Sequence, residues 1–279
     1  MIRPKFKDYL KERLNDKLFT AVVLIFFAYL MFSVVYFSIN FNLRNILLSI
    51  VYNIAIVLIV VVEYFMGVRL GALFTACALF VAFGGHGGPC YNIYSIIPFF
   101  DTLLHILSGV IFACMGFAVA EKFFGKITSK RKFLGYMFFG FCFSQMIAVF
   151  WECFEYMFTM VFDIEMMADE TVYRINSFYL SNDYNNATII ENIEKTTIHY
   201  GNGQIYELNG YLDLGLIDTL TDLLVCTLGG VFFMAVTVFS YFKAPKINNL
   251  LLPKLVYEKP NLSEKMQELI KDRELKESA

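Results

Sequence analysis

The stretch LFTAVVLIFFAYLMFSVVYFSI, from Leu18 to Ile39, contains no charged side chain and decides the class of the fold. A helix rises 1.5 Å per residue and the hydrocarbon core of a bilayer is about 30 Å thick, so about 20 consecutive apolar residues span it. Outward from Ile39, five further apolar stretches follow, at about 45–66, 69–85, 101–121, 133–161 and 213–242. The fifth is long enough to tilt or to protrude from the membrane. Within each stretch the apolar residues run on continuously instead of alternating, which selects helices over barrel strands. The expected fold is an all-α polytopic membrane bundle with six transmembrane helices. Composition agrees, since 58% of the chain is hydrophobic and 18% aromatic, more apolar than an ordinary soluble domain.

The basic start before Leu18 resembles a signal sequence. The apolar run that follows is too long for an h-region and lacks a small-x-small cleavage site, so it reads as a retained span. Lysine and arginine then set the orientation. They crowd the N-terminus (Arg3, Lys5, Lys7, Lys11, Arg13, Lys17), the 122–132 link (Lys122, Lys126, Lys130, Arg131, Lys132) and the tail beyond Phe242. The other links hold few: Arg44 alone in the first, none in 86–100, and only Arg174 and Lys195 in 163–212. Both termini are therefore expected in the cytoplasm of a cell whose plasma or inner membrane the chain crosses.

This gives a basic N-terminal helix over 1–17, a transmembrane domain over 18–242 and a charged tail over 243–279, with surface helices at 3–16 and 261–277. The outer segment 163–212 contains Thr197-Ile-His-Tyr-Gly-Asn-Gly-Gln-Ile-Tyr-Glu207, two β-compatible runs about a Gly-Asn-Gly turn, and is expected to form a small hairpin cap. A net charge of −2 gives no reason to expect a nucleic-acid partner, and six cysteines without CxxC spacing argue against a disulfide framework or a structural zinc site.

Six ionisable residues interrupt the last three spans: Asp101 with His105, Glu152 with Glu155, and Asp218 with Asp222. An Asp at the centre of a membrane helix costs about 2.5–3.5 kcal/mol on the insertion scale, so the six must be compensated by one another or by an ion. Alternating span directions bring all three pairs to the outer half. Spacings of three, four and seven set Asp101, His105 and Ser108 on one face, Gln145, Glu152 and Glu155 on another, and Asp218, Asp222 and Gly229 on a third. Carboxylates crowded together retain protons or take up a cation. Asp101, His105, Asp218 and Asp222 are the candidate metal ligands, and Glu152 or Glu155 the candidate catalytic base. Such a set suits Zn²⁺, Mn²⁺ or Fe²⁺, and its oxygen-only subset Mg²⁺ or Ca²⁺.

Other polar residues receive simpler readings. His86, in Gly84-Gly-His-Gly-Gly-Pro-Cys90, falls in an expected outer loop from which it can reach the acids, although an ordinary loop residue is the plainer reading. Glu63 sits beside Arg69 and is expected to snorkel or pair locally. Gln145 is expected to make a core hydrogen bond, and Trp151 with Tyr156 to mark the membrane boundary.

The ordered motifs Phe100-Asp-Thr-Leu-Leu-His105-Ile-Leu-Ser-Gly109, Phe150-Trp-Glu-Cys-Phe-Glu-Tyr156 and Asp218-Thr-Leu-Thr-Asp222 with Leu228-Gly-Gly230 resemble those of YjdF-like bacterial inner-membrane proteins. More loosely they are similar to VanZ-like proteins. The resemblance covers about residues 98–232, and its VanZ-like side implies a role in the cell envelope. Where VanZ-like chains often have Glu followed by Gln, this one has Glu-x-x-Glu, and its outer loop is long.

Three functions compete at this point. One is a metal-dependent enzyme acting on a lipid or envelope precursor, with the acids as ligands and base. Another is a proton- or cation-coupled transporter, disfavoured because the polar stripes stop in the outer half and no inverted repeat appears. The third is a non-catalytic scaffold or lipid-binding protein in which the same residues form a structural polar network. Membrane lipids are partners in every case.

Overall fold

The computed structural model describes residues 5–181, 186–244, 247 and 251–255. Its six long apolar helices are α2 (Lys17–Ile39), α3 (Leu43–Met66), α4 (Ala72–Tyr91), α6 (Phe100–Phe124), α7 (Lys130–Phe162) and α8 (Leu216–Lys243). Each is long and apolar enough to cross a membrane, so the expected six-span architecture holds. A short α1 (Phe6–Leu14) precedes them and α5 (Ile93–Ile96) links α4 to α6. The charged helix expected over 261–277 lies outside the described residues.

Local chemistry fixes the first boundaries. Asp16 caps α2 by accepting from the Phe19 N–H at 3.2 Å, and Asn42 caps α3 through the Asn45 N–H at 3.1 Å. Gly67 ends α3 in the left-handed conformation at φ 64°.

The third span departs from expectation. Instead of ending at 85, α4 continues through Gly84-Gly-His-Gly-Gly-Pro-Cys90 to Tyr91, so His86 and Cys90 are helical and not in a loop. Packing overrides the glycines' weak helix propensity. A Cβ on Gly84 would strike Leu104, one on Gly85 the Tyr52 hydroxyl and one on Gly88 the Tyr94 ring, so these side chains occupy the space the glycines leave. Pro89 has no N–H to give the Gly85 carbonyl, and the helix ends two residues later at Tyr91.

Two compact units divide the chain, Met1–Gln145 with Cys226–Ala279 and Met146–Val225. In the first, small residues let helices meet at their backbones. A Cβ on Gly109 of α6 would collide with the Cys226 carbonyl of α8, and one on Gly229 with the Ile106 carbonyl. Gly140 of α7 is held as tightly against Ala113 of α6. Below these crossings Phe74, Cys114, Phe117, Phe133, Met137 and Phe233 form the buried core.

At the end of this unit where α1 lies, Arg13 is buried and grips Glu63 with two bonds, Nε to Oε2 at 2.9 Å and Nη2 to Oε1 at 3.0 Å. The Tyr9 hydroxyl donates to Glu63 Oε2 at 2.9 Å and the Leu70 N–H to Oε1 at 2.8 Å. Glu63 therefore hydrogen-bonds to Arg13, while the neighbouring Arg69 bonds Glu12 at 2.7 Å. The N-terminal helix is docked through its Tyr and Arg, with Lys7 and Lys11 left exposed. At the same end β1 (Val68–Arg69) pairs antiparallel with β8 (Lys254–Leu255).

The second unit holds the end of α7, the start of α8 and three antiparallel strand pairs. These are β2 (Glu170–Val172) with β7 (Tyr211–Asp213), β3 (Arg174–Ser177) with β4 (Thr188–Glu191), and β5 (Lys195–Tyr200) with β6 (Gln204–Asn209). The last is the expected hairpin, turning at Gly201-Asn202-Gly203 with both glycines at positive φ. Its register sets Ile198 opposite Tyr206, and Lys195 forms an ion pair with Glu207.

Candidate functional site

The six candidate residues occupy three unbroken helices. Asp101 lies in the first turn of α6 and His105 one turn further on, so their side chains share a face. His105 Nε2 is 3.8 Å from Asp101 Oδ1, with His105 the more buried of the two. That separation is too long for a hydrogen bond, and the i,i+4 spacing is one by which a helix presents two ligands to one ion.

In the second unit, Glu152 and Glu155 on α7 and Asp222 on α8 are buried to 5%, 8% and 4% exposure. Carboxylates held so far from water need a proton, a cation or donors to compensate them. For Glu155 the Trp151 indole N–H is such a donor, reaching its Oε1 at 2.8 Å. Trp151 is thus a hydrogen-bond donor to a buried acid as well as a half-exposed aromatic. Asp218 is tied differently. Its Oδ2 accepts from the Ala168 N–H at 2.8 Å and anchors the chain that follows α7, while Asp213 caps α8 by accepting from the Ile217 N–H at 2.9 Å.

Within the first unit, Thr227 of α8 donates its hydroxyl proton to Gln145 Oε1 of α7 at 2.6 Å, the core hydrogen bond expected of Gln145. Helix periodicity carries each stripe onward from these contacts. Glu152 follows Gln145 by seven residues on α7, and Asp222 precedes Cys226 by four on α8, so each acid shares a helix face with that residue.

His86 does not join the acids. Its ring is fully buried, Nδ1 lies 2.6 Å from the Tyr29 hydroxyl and Nε2 lies 2.8 Å from Ser49 Oγ, which occupies both nitrogens. The polar seam that binds it runs through Asn45, Ser49 and Asn53 on α3, and their spacing of four was readable in the chain. No charge marked it, so it passed for an ordinary apolar span.

A family described as predicted membrane protein (DUF2238) has a model that matches residues 19–243. No curated protein and no solved structure matches the chain.

Proposed function

From the premise that the chain belongs to the DUF2238 family of membrane proteins, we propose that it holds a divalent cation through acids and a histidine on its last three spans and acts on, or binds, a lipid or envelope precursor. Asp101, His105, Asp218 and Asp222 are the cation's proposed ligands, residue types whose carboxylate oxygens and ring nitrogen suit a divalent ion. Glu152 or Glu155 serves as the base. The observation that carries this reading is the burial of Glu152, Glu155 and Asp222 in apolar helices, where a nearby cation is the strongest available compensation for more than one negative charge.

A cation at this place supplies Lewis acidity toward a phosphoryl or ester oxygen. Of the two candidate bases, Glu155 is the one whose carboxylate is oriented by a side-chain donor, the Trp151 indole N–H. The likeness of the three motifs to YjdF-like and VanZ-like chains supports an envelope substrate. The lysine and arginine bias supports a plasma-membrane protein with both termini inside and the acids toward the outer leaflet.

Metal analysis of purified protein, alongside His105→Ala and Asp222→Asn, tests this. The expected result is a stoichiometric divalent ion in the wild type and its loss in both variants. Wild-type protein that takes up no Zn²⁺, Mn²⁺ or Mg²⁺ when these are supplied would overturn the reading. Proton uptake abolished by the same substitutions would then favour transport, and lowered thermal stability alone a structural network.

A further inference from the structure

A second polar centre lies in α2, α3 and α4, without a carboxylate or ammonium among its bonded partners. His86 joins Tyr29 of α2 to Ser49 of α3 through its two ring nitrogens. Ser49 Oγ also lies 2.7 Å from the Asn45 carbonyl oxygen. A carbonyl can only accept, and a serine hydroxyl has one proton, so Ser49 donates to Asn45 and must accept from His86. His86 Nε2 therefore carries the ring proton. A neutral imidazole then has a bare Nδ1, which accepts from the Tyr29 O–H.

The same bookkeeping orders the hydroxyls beside it. Tyr91 donates to Ser33 Oγ at 2.9 Å, and Ser33 donates to the Tyr29 carbonyl at 3.0 Å. Asn45 Nδ2 donates to the Cys90 carbonyl at 3.4 Å, closing the layer back onto α4. Tyr52 and Tyr91 set their rings edge-wise against the imidazole, with centroids 5.6 and 6.2 Å away.

We infer that His86 is a bolt with a fixed tautomer, a neutral imidazole protonated on Nε2 that fastens α2, α3 and α4 to one another. Every proton in the Tyr29–His86–Ser49 chain points the same way and ends on the Asn45 backbone carbonyl. Such a chain cannot relay protons, because its last acceptor has none to pass on, and it leaves no lone pair on His86 for a metal. The bolt assigns His86 to holding helices together, and it stands whether or not the last three spans bind a cation.

The chain has three histidines, so His105→Gln with His199→Gln leaves His86 as the sole imidazole without disturbing the bolt. Ring-¹⁵N NMR of that variant in micelles at neutral pH reads its tautomer directly. A protonated Nε2 and a bare Nδ1 are expected, and the same state is expected after adding Tyr29→Phe, since Ser49 still accepts. A ring protonated on Nδ1, on both nitrogens, or in exchange between tautomers overturns the assignment, as does loss of the Nε2 proton in the Tyr29→Phe variant. Should the double variant fail to fold, selectively labelled wild-type protein, with the His86 signals assigned by their absence in His86→Gln, gives the same reading.

Discussion

At the scale of single residues, Arg13 and Glu63 form a buried ion pair. Both are almost fully buried, and the two Arg13 bonds to Glu63 are joined by donors from Tyr9 and Leu70. Phe19 lies against the guanidinium at 3.6 Å from ring centroid to Cζ. Removing one member of such a pair strands the other charge, at a cost of about 3–5 kcal/mol, whereas removing both exchanges the pair for apolar packing at little net cost. Arg13→Met should therefore destabilise by about that amount, and Arg13→Met with Glu63→Met should recover more than half of it. Chemical denaturation of all three variants in detergent measures the coupling, and additive losses would show that the pair is not coupled. Tyr9 adds a pH dependence. Burial, followed by the Glu63 charge, raises its hydroxyl pKa above the ordinary 10.0. The folded state then keeps a proton that the unfolded chain releases, so the Tyr9 contribution is intact below pH 10.0 and is lost as the pH climbs beyond it. Tyr9→Phe should flatten that alkaline decline in stability relative to wild type, and an unchanged slope would remove Tyr9 as its source.

At the scale of elements, glycine placement decides which helices can touch. Gly229 of α8 meets the Ile106 backbone of α6, which cannot rotate away, whereas Gly135 of α7 has open space where its Cβ would stand. Gly229→Ala should therefore cost about 1–3 kcal/mol by overpacking, and Gly135→Ala should gain up to about 1 kcal/mol from helix propensity. Thermal unfolding of the two alanine variants checks the contrast, which fails if they shift together. The same elements show what could be read from the chain. Five of the six spans were legible within a few residues, because hydrophobic length is a property of one segment alone. The end of α4 was not, because Gly84 to Pro89 looks like a loop until Leu104, Tyr52 and Tyr94 are known to fill the space beside it. The β5–β6 hairpin was legible from Gly201 and Gly203, while the β2–β7 and β3–β4 pairings were not, since β2 and β7 lie far apart in sequence and no glycine turn joins the short strands β3 and β4. The face shared by Asp101 and His105 followed from helical spacing. The Arg13 partnership of Glu63 did not, because the helix that brings Arg13 back over α3 is joined to it only through tertiary packing.

At the scale of the whole molecule, the course of the chain through the first unit bears on its sidedness. Arg13 of α1 bonds the Leu70 carbonyl at 3.1 Å, which brings the N-terminal helix to the link between α3 and α4. Lys122, near the end of α6, bonds the Phe65 carbonyl at 2.7 Å, and Tyr136 of α7 holds the Gly125 carbonyl of the α6–α7 link at 2.7 Å. β8, downstream of α8, pairs with β1 in the same α3–α4 link. The N-terminal helix, both of these links and the segment after the last span thus gather at one end of this unit. Three of the four, the N-terminal helix, the α6–α7 link and the tail, are the segments richest in lysine and arginine, and the α3–α4 link carries Arg69, with Arg44 isolated at the opposite end of α3. Charge bias and packing depend on different physics, one on insertion and the other on the folded state, yet they group the same segments. Reporters fused to either terminus should therefore both score cytoplasmic. A cysteine at Asn202, in the β5–β6 turn, should react in intact cells with a maleimide that cannot cross the membrane, above the background of the native cysteines. Termini scoring on opposite sides would mean an odd number of crossings and would break the six-span topology. Termini that both score outside, with Asn202→Cys protected, would keep the six spans, invert the molecule and move the acids of the last three spans to the cytoplasmic leaflet.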